Sequence, residues 1–332
     1  MHPPRADTDW LDAAARLALR ARPGSRPNPA VGAIIVKDGA VVGRGWTQPG
    51  GRPHAEAMAL LQAGGAARGA TAYVTLEPCA HRSARGPACA DLLVGAGLAR
   101  VFAGVGDPDA RTAGRGLERL RVAGIEAAAL DHDASRRSLA GYLTRATFGR
   151  PHVTLKLALT ADGAITLPAG SIRAEENRWI TGEIARAHVH SRRALADAIL
   201  VGGGTWRTDA PNLDVRLPGL ANRSPERWVL TAQAVANART IAAPGEIANM
   251  DGVQYLYVEG GAATAAAFLE RELVDRIELY RAPITPGEGG GVLARLGLDD
   301  LGQAESRWPE VERSQLGSDI FTAYELRPCS PA

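Results

Sequence analysis

The stretch "ATAYVTLEPCAHRSARGPACADLLVGAGLARVFAGVGDP", residues 70–108, decides the architecture of the first half of the chain. Residues 70–78 form a β-branched and aromatic run that stops at Glu77-Pro78, which predicts a strand running into a turn. Residues 89–99 carry Ala, Leu and Val in a helical pattern and predict a helix that ends near Gly97. Residues 100–108 are the next apolar run, closed by Gly106-Asp107-Pro108. A strand, a helix and another strand in that order indicate an α/β domain with a sheet between helical layers. Cys79 and Cys89 sit between the first strand and the helix. The chain has only three cysteines, and the third, Cys329, lies in a Pro/Ser tail.

The same alternation extends on both sides. Upstream, Trp10, Leu11, Ala14, Leu17 and Ala18 predict a helix over 8–22. Two β-branched runs then meet at Asp38-Gly39, a hairpin signal, and residues 54–63 read as an Ala/Leu-rich helix. Downstream, residues 116–130 give another helix and strand. The pattern breaks at Gly149-Arg150-Pro151, and a fresh buried strand starts at Val153. A second α/β series follows, with strands in "ADAILVGGGT" (196–205), "ERWVLTA" (226–232), "VQYLYVEGGA" (253–262) and "RIELYRAPI" (276–284). The last precedes a Gly-rich loop at 287–291. The expected organisation is two three-layer α/β domains, residues 1–148 and residues 151–332.

Composition narrows the function classes. Lys and Arg number 38 against 36 Asp and Glu, and they are spread along the chain. No basic stripe interleaved with aromatics marks a nucleic-acid footprint, so no nucleic-acid partner is expected. No run reaches the roughly 18–20 apolar residues needed to span a bilayer. An odd, small cysteine count and an N-terminus without a signal-peptide core point to a reducing cytoplasm.

The sharpest constellation joins "PHAEAM" (53–58) to "EPCAHRSARGPAC" (77–89). His54, Cys79 and Cys89 are three ligands of the types zinc prefers, and a three-ligand zinc site keeps a fourth position for water. Glu56 stands two residues after His54, where a carboxylate can lie beside the metal unbound. In zinc nucleobase deaminases His and two Cys hold the metal while a nearby Glu is the general acid/base. The usual C-x-x-C spacing is not met here, because residues 80–88 separate the cysteines. Both thiolates still fall near one predicted helix N-terminus, whose positive end favours them. A binding or assembly protein stabilised by structural zinc is the contrasting reading. Glu56 and the missing fourth protein ligand speak against it.

The second half has no G-x-G-x-x-G opening a helix. Gly202, Gly203, Gly204 and Thr205 in "VGGGT", and Glu259, Gly260 and Gly261 in "VEGG", each follow a strand. Such turns let a phosphate approach the backbone, although ordinary strand-end turns look the same. Lys156 lies mid-strand in "VTLKLAL", where a lysine is rare unless it has a task or a partner.

"RPNPAVGAIIVKDGAVVGRGW", "PHAEAMAL", "GATAYVTLEPCAH", "GPACADLL", "VTLKLALTADGAI", "RWITGEIAR", "RRALADAILVGGGT" and "YVEGGA", in this order, resemble the bifunctional riboflavin-biosynthesis deaminase–reductase family. The resemblance implies a cytidine-deaminase-like domain followed by a dihydrofolate-reductase-like domain. It implies a substrate, 2,5-diamino-6-(5-phosphoribosylamino)pyrimidin-4-one, which is deaminated and then reduced by NADPH from a ribosyl to a ribityl chain. It implies that His54, Cys79 and Cys89 bind Zn²⁺, that Glu56 carries the proton and that Lys156 polarises the sugar. Asn28, His81, Trp179, Thr181, Arg193 and Arg216 fall on substrate positions, and Asp209 and Glu259 join the glycine turns as cofactor positions. Asn28 can equally be read as a turn residue between prolines, His81 as a solvated loop residue, Arg193 as an exposed helix charge and Asp209 as a turn residue before Pro211. Family members self-associate, so a homo-oligomer is expected.

Three departures stand out. The zinc loop is one residue longer than is common in the family. "SIRAEEN" (171–177) is inserted before Trp179, and only about two dozen residues separate "RWVL" from "YLYVEGG". The family fits a further strand and helix into that last interval, so a deaminase with a degenerate reductase domain is the alternative within this family.

Overall fold

The computed structural model describes residues 6–81, 85–165, 179–284, 296, 298 and 307–326. The chain forms two compact units, Met1–Arg150 and Pro151–Ala332.

The first unit contains α1 (Asp7–Ala18), β1 (Gly32–Lys37), β2 (Ala40–Trp46), α2 (Ala55–Ala63), β3 (Thr71–Leu76) and α3 (Cys89–Ala96). It continues with β4 (Arg100–Val105), α4 (Arg115–Val122), β5 (Glu126–Ala129), α5 (Asp133–Ser138) and α6 (Ala140–Phe148). The sheet order is β2-β1-β3-β4-β5; β1 is antiparallel to both neighbours, while β3, β4 and β5 are parallel. Lys37 pairs with Ala40 across Asp38 and Gly39, whose φ values are 51° and 75°. A two-residue hairpin needs positive φ at both central positions, and Asp-Gly accepts it at little strain.

Both faces of this sheet are buried at its centre, which is why β1, β3 and β4 read as nearly continuous apolar runs. Ala33, Ile35, Val74 and Leu76 pack with Ala55 and Ala59 of α2 and Leu93 of α3. Ile34, Val36, Tyr73 and Phe102 face the other way, onto Trp10, Leu11 and Ala14 of α1. Helix α2 lies directly on the backbone of β2. A Cβ at Gly45 would stand 2.0 Å from the Ala55 carbonyl oxygen, and one at Gly43 2.2 Å from that of Ala59. Gly45→Ala therefore has to push away the helix that carries Glu56. It is expected to lower the melting temperature of this unit by roughly 5–10 °C, from about 2–3 kcal/mol of overpacking. Calorimetry checks this, and an unchanged transition would show that α2 yields freely.

The second unit contains β6 (His152–Leu159), α7 (Glu183–Arg193), β7 (Ala198–Gly202), α8 (Gly203–Asp209), β8 (Glu226–Leu230) and β9 (Arg239–Ile241). Then come β10 (Tyr255–Glu259), α9 (Ala262–Leu269), β11 (Arg276–Arg281), β12 (Glu310–Leu316) and β13 (Asp319–Glu325). The order is β12-β13-β11-β6-β10-β7-β8-β9. The strands from β11 to β9 in that order run parallel, and the β12–β13 hairpin is added antiparallel on β11. Phe268 and Ala265 of α9 cover one face, with Val153, Leu155 and Leu157. Ala185 and Val189 of α7 cover the other, with Ile199, Val201, Tyr257, Tyr280 and Phe321.

Two expectations change here. The strand in "RIELYRAPI" ends at Arg281, and two further strands, β12 and β13, follow the Gly-rich loop. The interval before "YLYVEGG" holds β9 and a 3-10 turn over Pro244–Asn249, a strand and a helical turn in shortened form. The insertion at 171–177 and the Gly-rich loop at 287–291 lie outside the described residues. Among the described residues, no helix is long and apolar enough to cross a membrane.

Candidate functional site

In the first unit the metal-ligand candidates converge. One donor atom from each of His54, Cys79 and Cys89 lies within 4.8 Å of the others. His54 is the residue capping α2, so the turn before the helix presents its ring. Cys79 follows the end of β3, and Cys89 opens α3. The His54 Nδ1 is 3.2 Å from the Cys89 Sγ and 3.7 Å from the Cys79 Sγ. The Cys89 backbone N–H donates to the Cys79 Sγ at 3.3 Å, so the start of α3 stabilises a thiolate. Two sulfurs and one imidazole nitrogen at this spacing match zinc, and three protein ligands leave a position open. Across the longer loop both cysteines still converge with His54. Its tip, residues 82–84, lies outside the described residues.

Electrostatics fit the same reading. In the metal-free protein a hydrogen bond from Cys89 and one with His54 push Cys79 down to about 4, while Cys89 is pushed well up by its bond to Cys79 and by burial. Burial opposes a charged His54, but the hydrogen bond with Cys79 and the charge of Glu56 outweigh it and raise the ring. Glu56 lies in the first turn of α2 and is buried. Burial raises its carboxyl above the ordinary range, more than the His54 charge lowers it. Because Cys89 holds its proton at neutral pH and metal ligation requires the thiolate, zinc binding must release protons. Zinc affinity therefore falls as pH drops. Calorimetric titration in two buffers of different ionisation enthalpy is expected to show about one or more protons released per zinc near pH 7.5. Equal heats in both buffers would contradict this.

Asn28 and His81 are the substrate residues expected in this unit. Asn28 packs against Gly51, three residues before His54, and donates from Nδ2 to its carbonyl at 3.5 Å. Gly51 has a φ of 83°, and a Cβ there would overlap the Asn28 side chain. His81 meets Thr112 from the 107–114 segment, with Nδ1 3.4 Å from Oγ1.

Sequence reasoning passed over Glu77. It is 3% exposed, and its carboxylate accepts four backbone N–H groups, from Asp107, Gly114, Gly116 and Leu117, at 2.9–3.3 Å. The last two belong to the first turn of α4, so Glu77 caps that helix from another element. A carboxylate at the end of an apolar strand, just before proline, was the available signal.

In the second unit Lys156, Glu259 and Arg193 come together. Lys156 is in register with Glu259 on β10 and with Glu278 on β11. Arg193 grips Glu259 through two hydrogen bonds, at 2.6 and 2.9 Å, and both side chains are 12% exposed. Arg193 is thus largely buried rather than an exposed helix charge. Burial lowers the Lys156 amine against the pull of Glu259 and Glu278. Glu278, also missed, receives the Tyr257 hydroxyl at 2.9 Å and the Arg276 Nε at 3.0 Å. Arg216 donates to Asp214 at 2.9 Å and is exposed.

The two glycine turns sit at the ends of adjacent parallel strands, and both touch Thr264. A Cβ at Gly202 would be 2.3 Å from the Thr264 Oγ1, and one at Gly260 2.8 Å from its Cβ, so packing alone demands these glycines. Gly204 and Gly261 face open space. The "VGGGT" turn continues into α8, which carries Thr205 and ends at Asp209. Trp179 is 56% exposed, with the Arg186 guanidinium 5.6 Å from its ring centre. Thr181 is buried, and its carbonyl accepts from Arg186.

Residues 4–105 match the cytidine and deoxycytidylate deaminase zinc-binding region, and residues 151–243 and 245–321 match the RibD C-terminal domain. The riboflavin biosynthesis protein RibD of Escherichia coli is 36% identical over 366 residues, covering 95% of this chain and 98% of that one. RibD of Corynebacterium ammoniagenes is 39% identical, covering 91% and 94%. Acinetobacter baumannii RibD superposes with a TM-score of 0.81 at 31% identity, over 97% of this chain and 99% of its own. A Thermotoga maritima diaminohydroxyphosphoribosylaminopyrimidine deaminase/5-amino-6-(5-phosphoribosylamino)uracil reductase gives the same TM-score at 28% identity, over 97% and 99%.

Fold and site together define a two-domain enzyme, a zinc deaminase of the cytidine-deaminase type followed by a reductase. The chain belongs to the RibD family of riboflavin-biosynthesis enzymes, which carry both activities.

Proposed function

We propose that the first unit removes an amino group, as ammonia, from 2,5-diamino-6-(5-phosphoribosylamino)pyrimidin-4-one, and that the second reduces the ribosyl chain of the product with NADPH. The observation that carries the first step is the convergence of His54, Cys79 and Cys89 beside the buried Glu56. His54, Cys79 and Cys89 would hold zinc, which when bound makes water nucleophilic at neutral pH. Glu56 takes a proton from the attacking water and delivers it to the leaving nitrogen. Its burial supports this role, because a raised carboxyl pKa lies nearer the working pH. Asn28 and His81 hold the pyrimidine.

In the second unit Lys156 polarises the opened sugar, whose C1′ accepts hydride supplied by NADPH. Burial makes the Lys156 ammonium a stronger acid than a solvated lysine, which favours its giving a proton to the opened sugar. Arg193 and Arg216 grip the phosphate, with Trp179 and Thr181 completing the substrate side. Gly202, Gly203, Gly204, Thr205, Asp209, Glu259, Gly260 and Gly261 form the cofactor side. Their fit rests on the open approach at Gly204 and Gly261. The enzyme works in the cytoplasm as a homo-oligomer, without nucleic acid or membrane.

Following NADPH oxidation with the deaminated phosphoribosyl substrate tests the second step. Turnover that saturates in both ligands is expected. No turnover at saturating cofactor would reduce the protein to a deaminase.

A further inference from the structure

Glu77 ties down more than the start of α4. A buried carboxylate needs donors, and here all four come from main-chain N–H groups of one segment, residues 107–117. That segment also closes on the turn following Glu77. A Cβ at Gly116 would lie 1.9 Å from the Pro78 carbonyl oxygen, so the two backbones are in direct contact. Cys79 comes next in sequence, then His81. From the other side the same segment delivers Thr112, fully buried, to the His81 ring. Asp107 is held in turn by the Tyr142 hydroxyl at 2.7 Å.

We propose that Glu77 is a positioning residue of the deaminase: it fastens residues 107–117 to the turn bearing Cys79, so that Thr112 fixes the orientation of the His81 imidazole. The inference rests on the assignment of His81 to the pyrimidine made above. Glu77 touches neither metal nor substrate. Its effect passes through Thr112 and appears in substrate binding, not in metal binding.

The test uses the full-length zinc enzyme and the diaminopyrimidine substrate, with ammonia release as readout. Thr112→Val removes a single hydroxyl at constant size, and it is expected to raise KM by about five- to tenfold with kcat within about twofold, the pattern of lost uniform binding. Thr112→Ser restores the wild-type value. Glu77→Gln, whose amide turns N–H toward N–H donors, shifts KM the same way by at least as much, and Glu77→Asp shifts it less. Zinc content and NADPH-linked reductase turnover stay at wild-type levels. Because both residues act on one contact, the double variant Glu77→Gln/Thr112→Val is no worse than Glu77→Gln alone. His81→Ala raises KM as well. If it does, while Thr112→Val and Glu77→Gln keep the wild-type KM, this inference fails and the His81 assignment stands. A wild-type KM in His81→Ala overturns the His81 assignment and this route with it. Should Glu77→Gln not fold, Thr112→Val and Thr112→Ser decide the matter.

Discussion

Glu56→Gln is expected to keep one zinc per chain while slowing ammonia release by about 10²–10⁴-fold, the range for losing a general acid/base. Gln has the size of Glu, so it can fill the buried slot in the first turn of α2 without moving the helix. It has no proton to accept and return. The three metal ligands come from other positions, so metal content is unaffected. Metal analysis and steady-state kinetics on one preparation separate the two effects. The NADPH step of the same chain serves as an internal control and keeps its rate. Activity within tenfold of wild type, with zinc in place, would remove Glu56 from the proton path.

The second large effect concerns Glu259. Removing its carboxylate in Glu259→Ala leaves the Arg193 guanidinium without its bidentate partner and deprives Lys156 of its register neighbour. Both cations lie against the apolar face covered by α7. Orphaning one partner of a buried pair costs about 3–5 kcal/mol, far above the effect of an exposed pair. The loss should appear as faster amide hydrogen exchange in β10 and α7, with the first unit unchanged. It should also abolish NADPH turnover. Unchanged exchange would mean that the pair contributes no net stability.

The same pair sets a pH dependence. Burial alone would raise the Glu259 carboxyl, but Arg193 and then Lys156 hold it below the ordinary range. A carboxylate with a depressed folded-state pKa stabilises the fold above its unfolded pKa of about 4.3, and that contribution disappears as pH falls through the folded value. Acid unfolding of the second unit should therefore begin below about pH 4 in the wild type, and the Glu259→Ala variant should lose this part of its pH dependence.

Much of the fold was legible because its determinants are local. Asp38-Gly39 specifies a hairpin turn by itself, and two-sided burial makes β1, β3 and β7 nearly continuous buried runs. The misses have physical reasons. Strand β12, "EVERSQL", is an edge strand with mostly exposed side chains, so neither alternation nor an apolar run marks it. Strand β9 spans three residues. Helix α7 buries little more than Ala185 and Val189 and is otherwise charged. The zinc donors were readable from residue type and order. The Arg193–Glu259 pair joins residues 66 apart, and no local rule couples them. The glycine turns were read as room for phosphate, yet Gly202 and Gly260 make room for Thr264, which only a three-dimensional neighbour could show.

Glu77's hold on residues 107–117 has an evolutionary consequence. A carboxylate that accepts from main-chain amides is blind to the side chains those amides carry. The exposed positions between those amides, Ala110, Arg111, Ala113 and Arg115, can change charge or size while the segment is still held. Gly116, pressed on the Pro78 carbonyl, Gly114, at a φ of 73°, and the core residue Leu117 are bound to their identities. The segment beside the deaminase centre can thus diversify its chemistry while its path through space stays the same.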